Sequence, residues 1–235
     1  MQRLSLLRFS FIVLGGACSA SVAYAQANPA CDASVALQQQ CEIALAALRP
    51  TQSAVGYLEV EERAAQLKGE KDFLQYTRKK AIPVVQGPDG QFYMTDRHHL
   101  SSVLYRLGAD KVTAQVIGRL DNPGSFWQDM QAQHWVYLYD ARGSAITPDA
   151  LPARVADLKD DPYRSLAGIA EYKGYYHQTD AYFMQFQWAL YFGQKMQWAS
   201  IDRNSLPAAL QTARKLACEP EARQLPGYLD SCNKP

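Results

Sequence analysis

The sequence predicts an α+β fold: a small mixed sheet with helices against it, continued by an aromatic-rich helical extension. Three observations carry that prediction. Residues 82–95 (IPVVQGPDGQFYMT) have the pattern of strand, turn and strand, with Gly-Pro-Asp-Gly at 87–90 as the turn. Leu100, Val103, Leu104 and Leu107 follow at the i, i+3, i+4, i+7 spacing of one buried helix face. From Asn122 onward the pattern is helical and aromatic, as in Phe183, Phe186, Leu190 and Met196.

The chain begins with an export pattern. Arg3 and Arg8 give a positive start, Phe9 to Ala20 a short apolar and small-residue run, and Ala23-Tyr24-Ala25 a cleavage site. Residues 1–25 are therefore expected to be a signal peptide, and the protein periplasmic or secreted. A membrane-spanning helix needs roughly 20 mostly apolar residues, which this run lacks; no transmembrane segment is expected after cleavage. Anchoring through Cys18 is the rival reading, but Gly15 stands where a branched apolar residue is usual. Cleavage leaves about 210 residues, enough for one large domain or a domain with an extension. The formal charge of +1 falls to about −1 without Arg3 and Arg8, which excludes a whole-molecule electrostatic footprint for nucleic acid.

Four cysteines remain: Cys31, Cys41, Cys218 and Cys232. In an oxidising compartment an even number suggests disulfides, and three pairings are possible. The local pairs, Cys31–Cys41 and Cys218–Cys232, each close a short loop; bridges between the two ends of the chain are the rival. Zinc is disfavoured because no C-x-x-C spacing occurs and no histidine lies near.

Along the chain, residues 26–47 are expected to be a helical segment, with Val35, Leu37, Ile43 and Leu45 among good helix formers, ended by Pro50. Ala54–Leu58 is extended, then helices follow at 59–68, stopped by Gly69, and at 71–80, whose basic end suits the helix dipole. After the 82–95 hairpin and its helix, Gly108 provides a left-handed cap and Lys111–Ile117 alternates as a strand. Ser125–Gln133 is helical and Val136–Asp140 strand-like. Asp161-Pro162 starts a helix to Tyr172, Ala181–Gln197 forms a long one, and a helical tail with a cysteine pair occupies 201–235.

TDRHH, residues 95–99, is the stretch with chemistry in it. Thr95 or Asp96 would cap the helix, putting His98 and His99 in its first turn beside free amides and Arg97. That combination suits an anion such as phosphate. On a wheel centred on Leu100 and Leu104, His98 points away from the core and His99 lies at its flank, so both are expected to be exposed. Two alternatives stay open: a solvated helix start, or a divalent metal held by Asp96 and His98, joined by Glu59, Glu61 or His177.

Residues 48–117 resemble the N-terminal domain of the ParB/sulfiredoxin superfamily. The likeness rests on the Leu48-Arg49-Pro50-Thr51-Gln52 lead-in, the Ile82–Val85 strand, the Asp89-Gly90 turn and the TDRHHLSSVL segment. The downstream Asp160-Asp161-Pro162-Tyr163-Arg164-Ser165-Leu166-Ala167-Gly168, Phe126-Trp127 and Phe186-Gln187-Trp188 are similar to the ParB-like nuclease branch. The signature glycine of the superfamily is missing, and the absence of the sulfiredoxin cysteine excludes sulfinic-acid reduction. The resemblance implies a ParB-like domain at 48–118, extended by helices at 119–200, that binds a nucleotide or nucleic acid and is a candidate phosphodiester hydrolase. It would use His98 and His99 as acid and base, Asp96 as orienter or metal ligand, and Thr95, Arg97 and Arg164 around the phosphate. A salt bridge from Arg164 to Asp160 or Asp161 is the plainer reading of that arginine. The functional rival is a non-catalytic periplasmic module that keeps the fold and binds a protein partner.

Overall fold

The computed structural model describes residues 28–230. Its centre is a five-stranded mixed sheet in the order β1 (Gln40–Ala44), β6 (Lys111–Arg119), β4 (Ile82–Gln86), β5 (Phe92–Met94) and β2 (Leu48–Pro50). The hairpin at 82–94 is formed by β4 (Ile82–Gln86) and β5 (Phe92–Met94), antiparallel with Val84 opposite Met94. On one side β6 (Lys111–Arg119) runs parallel to β4, and on the other β2 (Leu48–Pro50) runs parallel to β5. α1 (Tyr57–Leu67), α2 (Phe73–Arg78) and α3 (His98–Arg106) complete the unit. Leu100, Val103 and Leu104 of α3 pack with Val60 of α1 on Leu48, Ile82, Val84, Met94 and Val116 of the sheet. The left-handed cap at Gly108 is present, with φ +79°.

The segment before β2 corrects the sequence expectation. Residues 28–47 do not form the expected α-helix: Gln40–Ala44 is strand β1, antiparallel to β6, and a single 3-10 turn follows at Leu45–Ala47. Cys41, Ile43 and Leu45 point into the core, whereas Gln40 and Glu42 do not. That period of two is the strand signal, and pairing with β6 overrides the helix propensity of the Ala, Gln and Leu residues around it. Cys31 and Cys41 form a disulfide, as expected; Cys232 lies outside the described residues, and with it the second local pairing. A bridge closing a loop with sequence separation 10 contributes about 2–3 kcal/mol by chain entropy. Replacing both Cys31 and Cys41 by serine is therefore expected to lower the urea unfolding free energy by about that amount. An unchanged midpoint would show that β1 holds to β6 without the bridge.

The extension wraps the same unit. α4 (Phe126–Ala132) packs Phe126 and Met130 with Val85 of β4 and with Val136 and Leu138. Residues 136–140 are not a full strand; they make one bridge, Tyr139 to Ala145, while Tyr137 N–H donates to Thr51 O. A two-residue strand, β3 (Ala54–Val55), pairs in parallel with β7 (Lys159–Asp160) and ties the extension to the lead-in. α5 (Pro162–Tyr172) follows directly, with Pro162 at its first position and Asp161 as N-cap, its carboxylate accepting from the amides of Tyr163 and Arg164. α6 (Met184–Lys195) and α7 (Leu206–Leu216) close a second core around Leu166, Tyr176, Trp188 and Phe192. Among the described residues no helix is long and apolar enough to cross a membrane.

Candidate functional site

The TDRHH stretch leaves β5 and enters α3 through Arg97, a non-glycine residue at φ +64°. Neither Thr95 nor Asp96 caps the helix as expected. Arg97 occupies the cap position with no side-chain capping bond, and Asp96 accepts instead from the Arg97 amide at 2.6 Å. Thr95 is bonded through its amide to Pro83 O.

The histidines are the larger correction. His98 is 5% exposed and the His99 side chain 12%. Each imidazole accepts a hydrogen bond from a distant backbone amide at Nε2: His98 from Thr51 at 3.1 Å, His99 from Gly56 at 2.9 Å. Because an amide can only donate, both Nε2 atoms carry a lone pair, and the ring proton of each neutral imidazole is on Nδ1. Burial, then the nearby charge of Arg164, pushes His98 down to about 3 and His99 well below its ordinary value. Glu59 Oε2 lies 3.5 Å from His99 Nε2, but a nitrogen accepting from Gly56 is not the cation of an ion pair. The α3 face expected to be solvent-exposed is covered by the 51–56 segment, whose Thr51 and Gly56 amides reach the two rings. Gly56 makes that approach possible, since a Cβ there would fall 2.5 Å from Ser165 N.

A cleft of about 410 Å³ opens beside this layer, between Gln52, Thr95 and Asp96 on the sheet unit and Arg164, Glu171 and Phe186 on the extension. Arg164 is only 8% exposed. Its Nε and Nη1 are buried with no hydrogen-bond partner among the described residues, and its guanidinium carbon sits 5.1 Å from the centre of the Phe186 ring. The anticipated salt bridge does not form: Asp161 accepts from backbone amides of its own helix, and Asp160 accepts from the Tyr57 amide. Behind Arg164, Glu59 approaches the bare backbone of Gly168, where a Cβ would fall 2.5 Å from Glu59 Oε2 and 3.6 Å from Arg164 Nη1. Burial raises the Glu59 carboxyl in spite of the Arg164 charge.

The structure thus brings Thr95, Asp96 and Arg164 to one cleft. His98, His99 and Arg97 are not part of its lining. The metal donor set is not assembled. Among the described residues no group of three His, Cys, Asp or Glu side chains is placed to hold an ion, His98 is buried with Nε2 occupied, and Glu61 is engaged by Arg106 and Arg203. Sequence reasoning missed Gln52, Glu171 and the aromatic wall. Phe186 has helix spacing suited to a core residue, and only its contact with the Arg164 guanidinium in the cleft wall distinguishes it.

The family model described as "Putative ParB-like nuclease" matches residues 41–194. The crystal structure of protein Atu1540 from Agrobacterium tumefaciens is similar to this chain, with 34% identity and a TM-score of 0.71, covering 81% of this chain and 98% of that one. No curated protein matches. From its β1 strand to the end of α6, the chain belongs to the ParB-like nuclease family.

Proposed function

We propose that the protein is exported and binds a phosphate-containing ligand, a nucleotide or a nucleic-acid phosphate, in the cleft above α3, with Arg164 as the anchor. The single observation that carries this reading is a buried guanidinium in a cleft wall whose Nε and Nη1 have no hydrogen-bond partner among the described residues. A buried charge without hydrogen bonds is costly, and the planar guanidinium fork matches an oxyanion such as phosphate in bidentate geometry. The family points the same way, toward nucleic acid. Export is supported by the leader sequence and is compatible with the Cys31–Cys41 disulfide.

Of the three residues expected to be catalytic, Asp96 alone lines the cleft. A hydrolytic step at this site runs through carboxylate chemistry at Asp96 and Glu171, with His98 and His99 as positioning residues. A second reading, a module that binds without cleaving, is favoured by the use of both imidazoles as backbone acceptors. Calorimetric titration with inorganic phosphate and nucleotides tests the anchor. Arg164→Gln is expected to weaken binding about 100-fold or more, the cost of removing one partner of a desolvated charge pair. Unchanged affinity would overturn the assignment. Cleavage of a phosphodiester that disappears in Asp96→Asn supports the hydrolase, whereas binding without cleavage selects the module.

A further inference from the structure

Beside Arg164 the cleft wall is aromatic, and all of its rings come from the extension. Phe186 lies beneath the guanidinium and stacks on Tyr137, with centroids 4.0 Å apart. Toward the rim, Tyr182 stacks on His134 at 4.1 Å and 21°, and Tyr182 remains 60% exposed. Two non-glycine residues, His134 at φ +55° and Phe183 at φ +56°, hold the turns that bring these rings together. The wall therefore runs from a buried positive charge to an open stacked pair. The amide side chains of Gln178 and Gln185 also line the cleft.

We propose that the Tyr182–His134 pair is a stacking subsite for a planar ring, so the ligand anchored by Arg164 is one unpaired nucleotide. This rests on the reading of Arg164 as phosphate anchor and specifies what the phosphate is attached to. A cleft of about 410 Å³ accommodates one nucleotide unit, and ligand pockets begin at roughly 300 Å³. A base within a duplex has both faces stacked already and presents none to Tyr182, whereas a mononucleotide or an unpaired residue of a strand presents one. Stacking on an aromatic side chain is tolerant of base identity, so the subsite selects for an exposed base more than for its sequence.

The test compares four probes on the full chain by calorimetry, with intrinsic tryptophan fluorescence, to which Trp135 of the cleft contributes, as a second readout: ribose 5-phosphate, adenosine 5′-monophosphate, a short single-stranded oligonucleotide and the same oligonucleotide as a duplex. The nucleotide is expected to bind about tenfold or more tightly than ribose 5-phosphate. Tyr182→Ala is expected to erase that difference without changing ribose 5-phosphate binding, and Tyr182→Phe to keep it. Tyr182 is exposed, so neither variant threatens folding. Preference for the mononucleotide over both oligonucleotides identifies a free nucleotide as the source; equal binding of the single strand identifies a strand. Equal affinity for ribose 5-phosphate and the nucleotide, or preference for the duplex, overturns the subsite. If Arg164→Gln abolishes binding while Tyr182→Ala changes nothing, the anchor stands and the subsite falls. If Arg164→Gln changes nothing, the anchor itself falls.

Discussion

Lowering the pH from 7 to 4 is expected to remove a few kcal/mol of folding stability, with the His98–His99 pair as the cause. In the unfolded chain both imidazoles titrate at about 6.5, whereas in the folded chain burial holds His98 down to about 3 and His99 well below its ordinary value. Their contribution is complete above pH 6.5 and is lost as the pH falls, for His98 toward about 3, because the unfolded state then binds the protons. For His98 the loss by pH 4 is on the order of 3 kcal/mol. Asp161 has the opposite sign. Burial pushes it up to about 6, so its share is complete below about 3.9 and fades as the pH rises through 6. Acidification therefore recovers part of the loss through Asp161 and Glu59, but these two carboxyls face two histidines with depressed values. Urea unfolding at pH 7, 5.5 and 4 measures the sum. His98→Gln, which keeps an acceptor but cannot be protonated in this range, is expected to flatten the dependence by about one proton. Identical pH slopes in variant and wild type would exclude His98 as a titrating group.

The parts of the fold legible in the sequence are those whose signals are local. Asp161-Pro162 marks the start of α5 because cap and first-turn proline act on adjacent residues, and the helix ends at Tyr172 as its pattern predicts. The β4–β5 hairpin carries its own turn. β1 is different, since its partner strand lies about 70 residues on and its Ala, Gln and Leu neighbours favour a helix locally. Only the alternation of Cys41, Ile43 and Leu45 records the pairing. The same distinction separates the site residues. A helical wheel finds one core face on α3, but α3 is covered twice, by the sheet and by the 51–56 segment. Ser101 and Ser102, buried beside His98, are the sequence trace of that second face: small side chains where another layer comes close. Arg164 was recognisable as a helix-start arginine. Its burial was not, because Phe186 of α6 and Gln52 of the lead-in converge on it from elements remote in sequence.

His98→Ala and His99→Ala are each expected to cost about 3–4 kcal/mol of stability, a larger effect than removing a surface helix-start histidine, which stays within about 0.5 kcal/mol. Each deletion empties the space of an imidazole and strands a buried amide, Thr51 N–H in one case and Gly56 N–H in the other. The segment between those amides has little room to recover them. Gly56 already meets Ser165 at a distance no side chain would tolerate, Thr51 is held by its hydroxyl to Met94 O, and β3 is paired with β7. Two adjacent histidines on one helix turn therefore fix both ends of a six-residue strap. That strap carries Gln52 into the cleft and, through β7, sets where α5 begins and where Arg164 lies. The double variant is expected to cost less than the sum of the two, since the strap released at one end no longer depends fully on the other. Glutamine at either position places an amide oxygen near the Nε2 position and should recover much of the loss. Amide hydrogen exchange at Thr51 and Gly56 gives the decisive readout, because an acid–base role would leave their protection untouched. Faster exchange in the alanine variants, restored by glutamine, follows from the geometry; alanine variants within 1 kcal/mol of wild type, with both amides still protected, would return the histidines to the list of catalytic candidates.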